Sequence, residues 1–337
     1  MNFRVDRWRT VALRSSLVIL TTVGALLLSS CGGSGQSGQS KRFKPTRMIV
    51  FGDEASLLST QPPGTVTNAA KYTNNGFDQA TNSTLDCREN RLWVQYLADE
   101  YSLVFAECNP ANATATAQMR ATAGAKVADL ATAVDAFLAA SAPVPTDLIT
   151  MMVGTNDIVE LYTSVSSSAI TQNAAVAEAA RRGELFGVQI NRLTNSKNKQ
   201  GRVMYSTVPE VGLTPFGVGK SLADQSLLNS LTTSFNNAMR STVDINGRSN
   251  AFLDTAQRFR NIIDFVRKGK SVSSSNVTNV TVAACLDPVN LLTCTNNTLV
   301  SGATSTDHIW AGNINFSAAG HILIGNDAVD LATSLPL

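Results

Sequence analysis

A three-layer α/β/α domain around a parallel sheet of about five strands is the fold class this sequence predicts. Three observations predict it. Short, strongly apolar runs recur, such as Met48–Phe51 and Leu148–Val153, the second broken only by Thr150. Amphipathic stretches of helical period separate them. Glycine stands where two of the runs stop, at Gly52 and Gly154. Strands buried on both faces read as unbroken apolar runs, and parallel neighbours need helical crossovers between them.

The elements follow in order. Arg47–Phe51 reads as the first strand, and residues 54–88, rich in Asn, Thr, Gly and Pro, read as irregular. Arg91–Tyr101 is an amphipathic helix that turns Trp93, Val94 and Leu97 to the core. Leu103–Ala106 is the expected second strand, Val127–Ala140 an Ala-rich helix and Leu148–Val153 the central strand. A long helix over 174–193, a strand over 202–208, a helix over 222–243 and a short strand over 251–253 continue the alternation. The last helix begins near Ser317 and runs to about Thr333. In an open α/β sheet, ligands bind beyond the carboxyl ends of the strands. The segments to inspect are therefore Gly52–Glu54, 122–125, Gly154–Asp157 and the loop before the last helix.

The two ends of the chain differ in character. Arg4, Arg7, Arg9 and Arg14 precede an apolar run from Leu17 to Leu28 that is short for a bilayer span. Leu28-Ser29-Ser30-Cys31 closes the run and resembles a bacterial lipobox, in which the cysteine is acylated after cleavage. The expected organisation is a lipoprotein signal peptide over 1–30, a flexible tether over 31–44 that is Gly/Ser/Gln only from Gly32 to Ser40, and a single domain over 45–337. Acyl chains on Cys31 would supply the two-signal anchoring that one chain does not. No Asp follows Cys31, which favours the outer membrane of a Gram-negative envelope.

Net charge is +2 over 337 residues, so there is no electrostatic case for nucleic acid. Apart from Cys31, four cysteines remain. An even number in an exported chain predicts disulfides, and the short local loops favour Cys87–Cys108 and Cys285–Cys294. The spacings match no zinc-finger pattern, and with 2 His in the chain no metal or cofactor is expected. A monomer is expected.

Four blocks carry the chemical signal: Met48-Ile49-Val50-Phe51-Gly52-Asp53-Glu54, Ala121-Thr122-Ala123-Gly124-Ala125, Gly154-Thr155-Asn156-Asp157, and the run from Trp310 to His321. In order and spacing they resemble the blocks of the SGNH, or GDSL-type, hydrolases. Those are esterases, lipases and acetylesterases on a flavodoxin-like fold. The resemblance implies a nucleophile at position 54, oxyanion donors at Gly124 and Asn156, and an Asp and a His at positions 312 and 315. The sequence departs from that pattern at three of them, with Glu54, Gly312 and Asn315.

The departure has a chemical meaning. Ester hydrolysis by this route needs a nucleophilic hydroxyl, a base in reach of it, and donors aimed at the oxyanion. Glu54 has no hydroxyl and would itself accept the N–H groups meant for substrate. Asn315 takes no proton at neutral pH, and Gly312 orients nothing. Ser56 reads as a turn serine, His321 as a helix-packing residue, and His308 as a strand-end histidine that its neighbour Asp307 is poorly placed to orient. Asp53 and Asp157 read as loop-bracing carboxylates rather than catalytic ones. Trp310 is expected to pack beneath the last loop, and residues 271–280 to form an insertion stapled by a disulfide.

Three functions are consistent with these residues. The first is a degenerate hydrolase that binds an acyl, acetyl-glycan or carboxylate-like ligand. The second is an active ester hydrolase with a non-standard site. The third is a partner-binding scaffold with a vestigial pocket. The sequence also predicts that Glu54→Ser, Gly312→Asp and Asn315→His together would recreate activity on an intact scaffold.

Overall fold

A computed structural model describes residues 43–194, 201–245, 249–272 and 275–334. The expected signal peptide, Cys31 and most of the tether lie outside the described residues. Arg42–Leu337 forms one unit.

The sheet is built from β1 (Arg47–Gly52), β4 (Ala117–Met119), β5 (Asp147–Met152), β6 (Arg202–Ser206) and β7 (Asn250–Leu253). It has five strands in the order β4-β1-β5-β6-β7, and every pairing is parallel. Two short pairs lie outside it. They are β2 (Leu58–Ser59) with β3 (Ala70–Lys71), and β8 (Asn279–Ala283) with β9 (His308–Trp310).

Strand pleating explains the three layers. Met48 and Val50 point to one side of β1, Ile49 and Phe51 to the other, and all four are buried. The first side packs against α1 (Trp93–Glu100), α7 (Thr255–Arg267) and α8 (Ala318–Ser334) through Leu97, Phe259 and Leu323. The second packs against α2 (Val127–Ala140), α4 (Gln172–Thr194) and α6 (Leu222–Thr242) through Phe137, Phe186 and Phe235. The remaining helices are α3 (Thr155–Ser166), directly after β5, and the short α5 (Pro215–Val218). Trp93, Val94 and Leu97 are fully buried, and Trp310 stacks on Phe316.

Three expectations need correction. Leu103–Ala106 is not the second strand. Ala117–Met119 takes that place beside β1, and the Val104 carbonyl accepts the Thr116 and Ala117 N–H groups alongside it. The run at 103–106 is apolar because Leu103 and Phe105 fill the core from a loop. The helices α3 and α7 are additional to the expected elements. Finally, the disulfide near the C-terminus staples residues 285–294, whereas Asn279 and Val280 of the expected insertion belong to β8. Both disulfides join the expected partners, Cys87–Cys108 and Cys285–Cys294.

Candidate active site

The sheet order reverses between β1 and β5, whose carboxyl ends lie side by side with Gly52 opposite Met152. Crevices at such a reversal are where open α/β sheets bind ligands. Gly52 is required by the close approach of the two strands. A Cβ there would lie 2.2 Å from the Met152 carbonyl oxygen, and its φ of +149° suits only glycine.

The chain leaves β1 through a single 3-10 turn, Glu54–Ser56. Asp53 caps that turn, accepting the Ala55 N–H at 3.0 Å. Burial, then the neighbouring Glu54 charge, push the Asp53 carboxyl well above the usual carboxylate range. The cap aims the Glu54 side chain across the strand ends.

Two segments meet it there. The loop after β4 rides along the end of β1, with Arg120 N–H on the Val50 carbonyl and Thr122 N–H on the Gly52 carbonyl. Gly124 then turns into the left-handed region at φ +72° and donates its N–H to Glu54 Oε2 at 2.8 Å. From the first turn of α3, Asn156 Nδ2 donates to Glu54 Oε2 at 3.0 Å and Oε1 at 3.3 Å, and to the Ala125 carbonyl at 3.2 Å. A carboxylate and a carbonyl both only accept, so the Asn156 amide must present its NH₂ to them. Glu54, Gly124 and Asn156 thus converge, and Glu54 is 8% exposed.

Asp157, next along α3, faces away from this point. It accepts the Val127 N–H that opens α2 and the Arg182 Nη1 of α4, each at 3.0 Å. Burial raises its pKa to about 6, against the lowering effect of the Val127 N–H and Arg182. Its role is to join three helices. Ser56 is fully buried and accepts the Trp93 indole N–H at 3.1 Å, so its hydroxyl is turned beneath the site.

Asn315 lines the same pocket as Glu54 and Gly124. Gly312 lies under the loop closed by Cys285–Cys294. A Cβ at 312 would sit 2.6 Å from the Pro288 carbonyl oxygen and 2.8 Å from Leu291 Cδ1. Position 312 therefore lacks space for a side chain as well as the side chain itself. The Asn313 N–H donates to the same Pro288 carbonyl at 3.1 Å, which holds the loop down.

The two histidines lie elsewhere. His321 is fully buried in α8. Its Nδ1 accepts the Trp93 backbone N–H at 3.4 Å, Nε2 has no partner, and burial pushes its pKa down to about 3. His308 Nδ1 pairs with Asp307 Oδ1 at 2.6 Å, contrary to expectation. Asp307 belongs to a turn rather than to the strand, so the alternation of strand neighbours does not separate the two. Among the described residues, no serine or threonine hydroxyl bonds either imidazole ring.

A pocket of about 290 Å³ opens in front of Glu54. Tyr72, Val159, Phe216, Pro288 and Ile314 form its walls. These residues come from distant segments, and of them only Ile314 falls within a sequence block. Among the described residues no group of three His, Cys, Asp or Glu is placed to hold a metal ion.

The profile of the GDSL-like lipase/acylhydrolase family matches residues 57–327. The chain belongs to that family. The match begins just after the Gly52-Asp53-Glu54 block, and its range spans the other three blocks of this GDSL-family chain. Solved structures of similar fold include a lipolytic G-D-S-L family protein from Veillonella parvula DSM 2008, at 12% identity and TM-score 0.40, covering 86% of this chain and 99% of that one. An extracellular lipase from Streptomyces rimosus matches at 15% identity and TM-score 0.41, covering 86% and 100%. A phospholipase A1 from Streptomyces albidoflavus matches at 14% identity and TM-score 0.40, covering 86% and 99%. No curated protein sequence matches this GDSL-family chain.

Proposed function

We propose that this GDSL-family domain does not cleave esters and instead holds a small ligand in the pocket before Glu54. One observation carries the reading: the Glu54 carboxylate accepts both donors, Gly124 N–H and Asn156 Nδ2, that an ester's developing oxyanion would need. A substrate carbonyl cannot reach those donors while Glu54 holds them. No hydroxyl stands at position 54, no imidazole at 315, and no carboxylate fits at 312 beneath Pro288. Losses in a triad are not additive, so repairing one alone restores little.

The ligand classes suggested by the sequence fare unequally. A carboxylate would bring a second negative charge against Glu54. A neutral acyl or acetyl-glycan group meets no such repulsion. The protein is proposed to act at the outer membrane of a Gram-negative envelope, anchored through Cys31. The lipobox-like Leu28–Cys31 supports this, and two disulfides suit an oxidising compartment.

A second reading has one observation in its favour. The Asp307–His308 pair resembles the acid–base half of a triad, and a hydroxyl brought to it would be activated. Incubating the full-length chain with a fluorophosphonate ester and measuring its intact mass tests both. The binding reading predicts no adduct. An adduct on any serine, lost on His308→Asn, would establish the active-enzyme reading instead.

A further inference from the structure

The pocket in front of Glu54 is negatively charged without compensation. Glu54 is more than nine-tenths buried, and its bonds come only from neutral donors, Gly124 and Asn156. Among the described residues it makes no ion pair, and no Lys, Arg or His lines the pocket. The adjacent Asp53 is also buried. A carboxylate offers about four acceptor sites, so capacity remains on the pocket side.

The walls are apolar and partly aromatic, with Phe216, Ile314, Val159 and Tyr72. Three polar groups at the pocket have no protein partner among the described residues: the Tyr72 hydroxyl and the side-chain amides of Asn313 and Asn315. A buried carboxylate, unpartnered acceptors and aromatic faces in one cavity suit a ligand with a charged donor head and an apolar body.

We propose that this pocket binds a small organic ammonium ion, its head donating to Glu54 and its body against Phe216 and Ile314. The proposal rests on the reading that Glu54 stays on its two donors. A neutral ligand that displaces water would leave the Glu54 charge buried and unpaired, which costs affinity. An ammonium supplies the missing partner. Lys220 already shows that a cation rests on this wall. It is exposed, and its Nζ lies 4.8 Å from the Phe216 ring centroid, outside the pocket lining.

The test is calorimetric titration of the full-length chain at low salt with n-butylammonium chloride, n-butanol and sodium butyrate. Saturable binding of the ammonium, at least about tenfold tighter than the alcohol, is expected, with no saturation by butyrate. Glu54→Gln keeps an acceptor for Gly124 and Asn156, so it should fold, and it should bring the ammonium to the level of the alcohol. The proposal is overturned if butyrate saturates as readily as the ammonium, if Glu54→Gln binds the ammonium unchanged, or if n-butanol binds as tightly as the ammonium. Ester turnover is a separate measurement. Its appearance would sink the non-hydrolytic reading and leave the order of the three ligands to decide this proposal.

Discussion

The Glu54 carboxylate and the Gly124 N–H stand 2.8 Å apart, joined by a hydrogen bond that closes the end of the sheet onto itself. The left-handed turn at Gly124 exists to aim that N–H, since a Cβ there would meet nothing within 4 Å and packing does not require the glycine. The same N–H is the donor an oxyanion would use. On the proposed reading, this one side chain takes up a donor of catalysis as a structural bond, and the consequences can be measured.

Truncation should separate the two roles of Glu54. Glu54→Ala strips both donors of their acceptor. Glu54→Gln leaves one acceptor oxygen and removes the charge beside Asp53. The alanine variant should therefore be less stable than the glutamine variant by about 1–2 kcal/mol in urea denaturation. Equal stabilities would mean that the bonds to Gly124 and Asn156 contribute nothing.

Position 312 should resist any side chain. Gly312→Ala places a methyl 2.6 Å from the Pro288 carbonyl oxygen and should cost about 1–3 kcal/mol. Glu54→Ser, Gly312→Asp and Asn315→His together should accordingly fail to create an efficient esterase, because the Pro288 loop fills the space of the new carboxylate. The structure here revises the expectation drawn from sequence alone. Activity of the triple variant toward nitrophenyl butyrate would show that the loop moves aside.

His321 sets an acid limit on stability. Its pKa in the fold is about 3, well below the usual histidine value, because burial disfavours the charged ring. Between those values the unfolded chain binds more protons than the folded one. This contribution to stability is therefore full above the unfolded pKa and falls as pH drops toward about 3, by up to about 1.4 kcal/mol per pH unit. NMR should find the His321 ring neutral at pH 5, and His321→Leu should flatten the acid branch of the stability curve.

The disulfides should contribute unequally. Cys87–Cys108 spans 21 residues and Cys285–Cys294 spans 9. Loop-closure entropy gives about 3.4 and about 2.7 kcal/mol for their loss. Paired Cys→Ser variants, compared by denaturation, check the order.

Much of the fold was legible because burial leaves a direct pattern. Met48–Phe51 is apolar at every position and Leu148–Met152 at every position but the buried Thr150, since both faces of the sheet are covered, and the helix at Val127–Ala140 repeats its apolar face. The helix at Thr255–Arg267 was also written in the sequence, with Asp254 as cap and Ala256, Phe259, Ile262 and Ile263 on one face. The strand at Ala117–Met119 was not legible, since it is short and carries Gln118, while Leu103–Ala106 offered a better apolar run. In the site, Gly124 and Asn156 could be located from blocks of residues. The walls could not: Tyr72, Phe216 and Pro288 meet only through the chain's folding. Nor could the loss of space at Gly312, which depends on a loop stapled by a disulfide.

The rate of nitrophenyl butyrate hydrolysis by the full-length chain, compared with buffer and with Ser56→Ala and His308→Asn variants, tests the central claim most directly. All three proteins should match the buffer rate, because on the proposed reading Glu54 holds the oxyanion donors and, among the described residues, no serine or threonine hydroxyl bonds an imidazole. Turnover by the unaltered chain that disappears in either variant would contradict it.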